Sequence, residues 1–327
     1  MAITTRLTQR LGLKHPVICA PMDVIAGGRL AAAVSSAGGL GFLGGGYSDD
    51  EAWFEREYAA AGNQAVGCGF ITWSLRNKPE LLDTAIARRP KAIFLSFDDP
   101  EPFASQIKAA GIPVICQLQT RGDAERAIDC GVDVIVAQGT EGGGHGGTRA
   151  TLTLVPEIAD LIAQRAPRTL LCAAGGIADG RGLAAALMLG ADGVVVGTRF
   201  WASQEALVHP NLHAAALAAG GDDTVRQSVL DIVRGRAWPA RYTGRVLKND
   251  FVGEWLGREA ELKAAKGDQV ERYRTASKSA DTSVVATIVG EAVGLIQAIE
   301  PAAVILERMV AEAERLLSRA PRFMQQG

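Results

Sequence analysis

Short apolar runs recur along the chain at intervals of roughly 20–35 residues, with Ala-rich stretches of helical spacing between them. The runs fall at residues 17–20, 39–43, 65–71, 92–96, 114–119, 132–138, 170–174 and 194–197. Most are continuous rather than alternating, the pattern of strands covered on both faces. Eight such strands with intervening helices most economically form an α/β fold of the (β/α)8 TIM barrel type. A doubly wound parallel sheet is the alternative. The rhythm stops after Phe200, and from 213 to 300 no strand run is convincing. Glu259 and Lys263 sit one helical turn apart, and 284–299 places apolar residues at helical spacing. The expectation is a barrel over 1–212, a smaller, mainly helical second domain over 213–300 capping its C-terminal face, and a C-terminal helix over 301–327 packing back on the barrel. Pro301 suits a first helical position. Leu306, Val310, Ala313 and Leu317 form a stripe that should pack back on the barrel.

Composition sharpens this picture in three places. Hydrophobic residues make up 48% of 327, so a large core is available and a disordered chain is excluded. The 38 glycines collect in short loops after the apolar runs, where ligand sites are usually built. Net charge is −2 with no Lys/Arg block, which argues against nucleic acid or an anionic membrane as partner. The five cysteines form no CxxC pair, so they read as buried, reduced thiols rather than metal ligands. Neither a signal peptide nor a membrane-spanning run stands out, and a cytoplasmic protein is expected. The oligomeric state is open, a homodimer included.

Chemistry should gather at the C-terminal ends of the strands. The sixth run empties into Ala137-Gln138-Gly139-Thr140-Glu141-Gly142-Gly143-Gly144-His145-Gly146-Gly147. Glycines let backbone approach a ligand, and the one imidazole suits proton transfer near neutrality. Glu141 either orients this loop or His145, or is a solvated acid. After the first strand, Ala20-Pro21-Met22 turns so as to present Met22, and the fifth strand points Gln117 and Gln119 to one side. Gly175-Gly176 after the seventh strand and Gly197-Thr198 after the eighth form the pair of turns that grips a phosphate in many barrels. Thr198 could donate to that phosphate or cap the next helix. His15 precedes strand one on the opposite face and reads as structural. His209 and His213 have i, i+4 spacing but Pro210 between them and no nearby carboxylate, so no metal site is expected.

Taken together, these segments resemble the nitronate monooxygenase family, formerly called 2-nitropropane dioxygenases. The matching pieces are 20–22, 137–147, 174–182 and 193–200, and Gly290-Glu291-Ala292-Val293-Gly294-Leu295 is similar to the family's C-terminal active-site segment. The resemblance implies an FMN-bound barrel. Gly175, Gly176, Gly197 and Thr198 would hold the FMN phosphate. Ala20, Met22, Gly69, Gln117, Gln138, Gly143 and Gly144 would line the flavin. His145 would remove the α-proton of a neutral nitroalkane, and would mainly position a nitronate that arrives deprotonated. The flavin would be reoxidised by O2, giving a carbonyl compound and nitrite without nicotinamide. Two departures stand out: Gly67-Cys68-Gly69 replaces a Gly-Val-Asn run, and Glu291 stands where glutamine is frequent.

Three other readings share these features. An NAD(P)H-dependent flavin reductase of quinones or enoyl thioesters uses the same barrel. A flavin-free phosphosugar isomerase or aldolase would use the same phosphate turns, and a non-catalytic binding protein would need no His145. Phe70, Trp73, Tyr242, Phe251 and Trp255 are candidates for lining the substrate pocket, though aromatic residues so spaced more often belong to a core.

Overall fold

A computed structural model of the chain describes residues 2–47 and 51–319. Its main sheet has eight strands: β1 (Val17–Cys19), β2 (Phe42–Gly46), β3 (Gly67–Ile71), β4 (Ile93–Ser96), β5 (Val114–Leu118), β6 (Val134–Gln138), β8 (Leu170–Ala174) and β9 (Gly193–Val196). Between β6 and β8 lies a short seventh strand, β7 (Gly144–Gly146), that belongs to another sheet. All eight main strands run parallel in the order β1-β9-β8-β6-β5-β4-β3-β2. The ring is nearly closed by a single bridge, in which Leu40 accepts from the Cys19 N–H at 2.9 Å and donates to the Val17 carbonyl at 3.0 Å. This closure excludes the doubly wound sheet, whose edge strands stay apart.

Alternate residues of each strand explain why the runs read as continuous. Val17, Ile93, Leu95, Ile135, Leu171 and Val194 pack outward against the helices. Ile18, Phe94, Ile115, Val134, Val136, Cys172 and Val195 form a second cluster inside the ring, joined by Leu7 and Leu11 of the helix Arg6–Leu11. Both faces are therefore dry. Cys19, Cys68, Cys116 and Cys172 are buried as free thiols, Cys130 is partly exposed, and burial raises the pKa of all five.

Beyond the barrel the structure corrects the sequence reading twice. Two strands occur where none was expected, β10 (Thr224–Gln227) and β11 (Thr243–Leu247), paired antiparallel to each other. Each contains an arginine, Arg226 or Arg245, that breaks the apolar pattern because it is turned to another task described below. Conversely, 284–299 contains only the 3-10 turn Glu291–Leu295. Val284, Val285, Val289, Ala292, Val293 and Ile296 are buried by a chain laid irregularly over the core, while Leu295 is exposed, so helical spacing arose there without a helix. No helix among the described residues is long and apolar enough to cross a membrane.

The helix Ala302–Ser318, with Pro301 as its N-cap, packs against the helices Gly180–Met188 and Gly28–Ser36. Ile305, Leu306, Met309, Val310 and Ala313 form its buried face, with Leu317 partly covered. Gly180 is required at the crossing: a Cβ there would stand 2.5 Å from the Met309 carbonyl oxygen and from the Ala313 nitrogen. Residues 320–327 of the expected C-terminal helix lie outside the described residues. Leu306 is fully buried, so Leu306→Ala should cost about 2–5 kcal/mol. Urea denaturation should show a lower midpoint with an unchanged slope, and an unchanged midpoint would mean this helix contributes little to stability.

Candidate active site

The C-terminal ends of the barrel strands open into one cavity of about 320 Å³. Ala20, Met22, Gln117, Gln138, Gly143, Gly144, His145, Gly175, Gly176, Gly197 and Thr198 all line it. Gly69 does not. It sits behind Pro21, where a Cβ would lie 2.4 Å from the proline Cβ, so the proline ring and not Gly69 forms that part of the wall. Further lining comes from beyond the barrel and includes Arg234, Trp238, Tyr273, Ala286, Ile288 and Ala292.

At one end of the cavity two glycine turns meet. Gly175 and Gly176 have φ of 99° and 74°, a left-handed path closed to most side chains. A Cβ on Gly175 would also come within 2.8 Å of the Gly139 carbonyl oxygen. A Cβ on Gly197 would make only ordinary contacts, with Ala20 and Met22 atoms at 3.7 and 3.9 Å. Thr198 opens the short helix Thr198–Trp201 without capping it through its side chain. Its hydroxyl instead accepts the Gly290 N–H at 2.9 Å and keeps its own hydrogen to donate. The segment around Gly290 is pressed on the histidine loop: Glu291 N–H donates to the Glu141 carbonyl, and a Cβ on Gly143 would lie 2.6 Å from the Gly290 nitrogen. The Glu141 carboxylate accepts the Thr151 N–H and hydroxyl, at 3.0 and 2.9 Å. It therefore orients the loop at the start of the helix Thr151–Arg165, and its bonds do not involve His145.

His145 is fixed from three directions. Its backbone lies in β7, which pairs antiparallel with β11, His145 opposite Gly244. Arg226 donates to the carbonyls of Thr140 and Gly146, at 3.1 and 2.7 Å, and Arg245 to that of Thr140 at 2.9 Å. Burial, with Arg245 alongside, lowers the Arg226 pKa to about 10, so the guanidinium stays charged at neutral pH. From the barrel side the Gln138 amide donates to the His145 carbonyl at 3.1 Å and accepts from Gln119 at 2.7 Å.

The ring itself stacks on the Trp238 indole, centroids 3.5 Å apart and 5° from parallel. His145 Nε2 lies 2.9 Å from Asp231 Oδ2, and both side chains are nearly buried. Burial lowers the His145 pKa below its ordinary value, outweighing the hydrogen bond and charge of Asp231. The resting imidazole is therefore neutral at pH 7. With Nε2–H donated to the carboxylate, the lone pair resides on Nδ1. Trp238 in turn donates to the Tyr47 hydroxyl at 2.8 Å.

Asp231, Arg234 and Trp238 were not singled out from the sequence. Asp231 left one trace, an acid inside the apolar stretch Leu230-Asp231-Ile232-Val233. Of the aromatic candidates, Phe70 lines the cavity and Trp73 packs against Tyr47 and Trp238. Tyr242 lines an adjoining cavity, while Phe251 and Trp255 are buried in a separate apolar cluster beyond the barrel. His209 accepts the Asn211 N–H at a helix start, and His213 bonds the Trp201 carbonyl, so the two rings have separate partners. His15 is buried beneath the barrel's first strand, away from the cavity.

A family model described as nitronate monooxygenase matches residues 4–61 and 77–312. A nitronate monooxygenase of Metarhizium robertsii, npaC, is 36% identical over 337 residues, covering 92% of each chain. Among solved structures, FabK from Thermotoga maritima superposes with a TM-score of 0.82 at 28% identity, over 98% of this chain and 100% of that one. A nitroalkane oxidase from Streptomyces ansochromogenes superposes with a TM-score of 0.74 at 25% identity, over 94% and 97%.

Asp231 raises the His145 pKa against the effect of burial. Asp231→Asn should therefore move the His145 titration to still lower pH, as followed by NMR of the imidazole protons. A titration that stays put or moves upward would show that the carboxylate does not act on the ring.

Proposed function

Because the chain belongs to the nitronate monooxygenase family, we propose that it oxidises alkyl nitronates with O2 to a carbonyl compound and nitrite, on an FMN held in the barrel mouth. His145 is the base for substrates that arrive as neutral nitroalkanes. One observation carries this reading: a buried, neutral imidazole, braced by Asp231, faces the same cavity as the two glycine turns.

The residues present suit the cofactor. Gly175 and Gly176 turn where side chains are excluded, Gly197 lines the cavity without a side chain, and the Thr198 hydroxyl retains a hydrogen. These groups would hold the FMN phosphate, and Ala20, Met22, Gln117, Gln138, Gly143 and Gly144 would flank the ring system. When bound, the flavin supplies an electron acceptor that O2 regenerates. The protein's own work is to bind, orient and move a proton. Nδ1 takes the α-proton of a nitroalkane, and Asp231 stabilises the imidazolium that results. Buried neighbours keep competing water away from that exchange.

A reductase reading, in which NAD(P)H reduces the flavin, draws support from the superposition with FabK. Anaerobic titrations separate the two. Under the proposal an alkyl nitronate bleaches the visible flavin absorbance, whereas bleaching by NAD(P)H alone favours the reductase.

His145→Ala should lower kcat/KM for a neutral nitroalkane by about 10²–10⁴-fold, the usual contribution of a general base. Oxidation of the preformed nitronate should fall far less, by about tenfold at most, since no proton need be removed. Oxygen uptake measures both, and equal losses on the two substrates would remove His145 as the base. Because burial sets the His145 pKa below 6.5, wild-type activity on the nitroalkane should decline only as pH falls through that lowered value and be level above it.

A further inference from the structure

The helix Val229–Arg234 carries Asp231 and Arg234 three positions apart, on one face. Asp231 is committed to His145. Arg234, the last helical residue before left-handed Gly235, lines the cavity, and among the described residues no hydrogen bond or ion pair holds its guanidinium. Burial opposes its charge, but Tyr47, Tyr273, Asp23 and Asp231 more than compensate and hold its pKa above the ordinary value. The guanidinium is thus held charged on the cavity wall with N–H donors left for a ligand. Asp23, on the same wall, has a partner of its own.

Two phenols line the cavity with it. The Tyr47 hydroxyl accepts the Trp238 indole N–H at 2.8 Å, and the Tyr273 hydroxyl accepts the Ala286 N–H at 3.3 Å. Each keeps its own hydrogen to donate. Burial pushes the Tyr47 pKa up to about 12, so it remains a donor across the working range. A guanidinium fork and two O–H donors suit a planar anion with paired oxygens.

We propose that Arg234, assisted by Tyr47 and Tyr273, anchors the anionic CNO2 group of the substrate and so selects a nitronate over its neutral nitroalkane. This rests on the nitronate reading above and adds a specificity-determining residue to it. The test uses nitrate, a planar oxyanion with the same paired oxygens, titrated calorimetrically into the holoprotein. Wild type should bind it, Arg234→Gln should weaken binding by about tenfold or more, and Arg234→Lys should recover part of the loss. The KM for an alkyl nitronate should rise in the same order, and the neutral nitroalkane should be less affected. Nitrate that binds Arg234→Gln as tightly as wild type, or that does not bind wild type, overturns the proposal. Calorimetry needs no turnover, so Arg234-dependent nitrate binding by a protein that oxidises no nitronate would sink the oxidation reading while supporting the anion site.

Discussion

The backbone ladder between β7 and β11 is the constraint on which the site depends. A loop as rich in glycine as 139–147 loses much conformational freedom on ordering and, left alone, would hold no side chain in one place. Here it is recruited as the edge strand of a sheet whose other two members, β10 and β11, come from beyond the barrel. Arg226 and Arg245 then fasten the loop's carbonyls. Glycine can therefore keep the cavity wall thin while the pairing supplies the rigidity that glycine lacks.

That same sheet explains the division of labour. The barrel contributes floor and backbone: two glycine turns, a proline ring, the amides of Gln117 and Gln138. Charge and proton chemistry enter from 229–238, through Asp231 against the imidazole, Arg234 on the wall and Trp238 stacked on the ring. The two sets meet at His145, which is held by hydrogen bonds both to Gln138 of the barrel and to Asp231 beyond it.

Legibility followed this division. All eight barrel strands could be read because a strand buried on both faces leaves an unbroken apolar run, and their ends pointed to His145 and the glycine turns. Strands β10 and β11 were hidden by Arg226 and Arg245, whose partners include carbonyls some 80–105 residues away in the chain as well as threonines on each other's strands. Asp231 is a similar case, since nothing near it in sequence announces a partner 86 residues distant. The helical spacing at 284–299 misled for the opposite reason: burial alone, without a regular backbone, can mimic a period.

The thiols of the barrel strands and of the helix that ends at Cys130 bear on how such an enzyme ages. Oxidation of cysteine proceeds through the thiolate, and four of these five groups are buried with raised pKa values. These four thiols thus present almost no thiolate to stray oxidants. Cys130, partly exposed at the end of the helix Arg121–Asp129, is where chemical wear would begin, on the outer shell and away from the cavity that does the work.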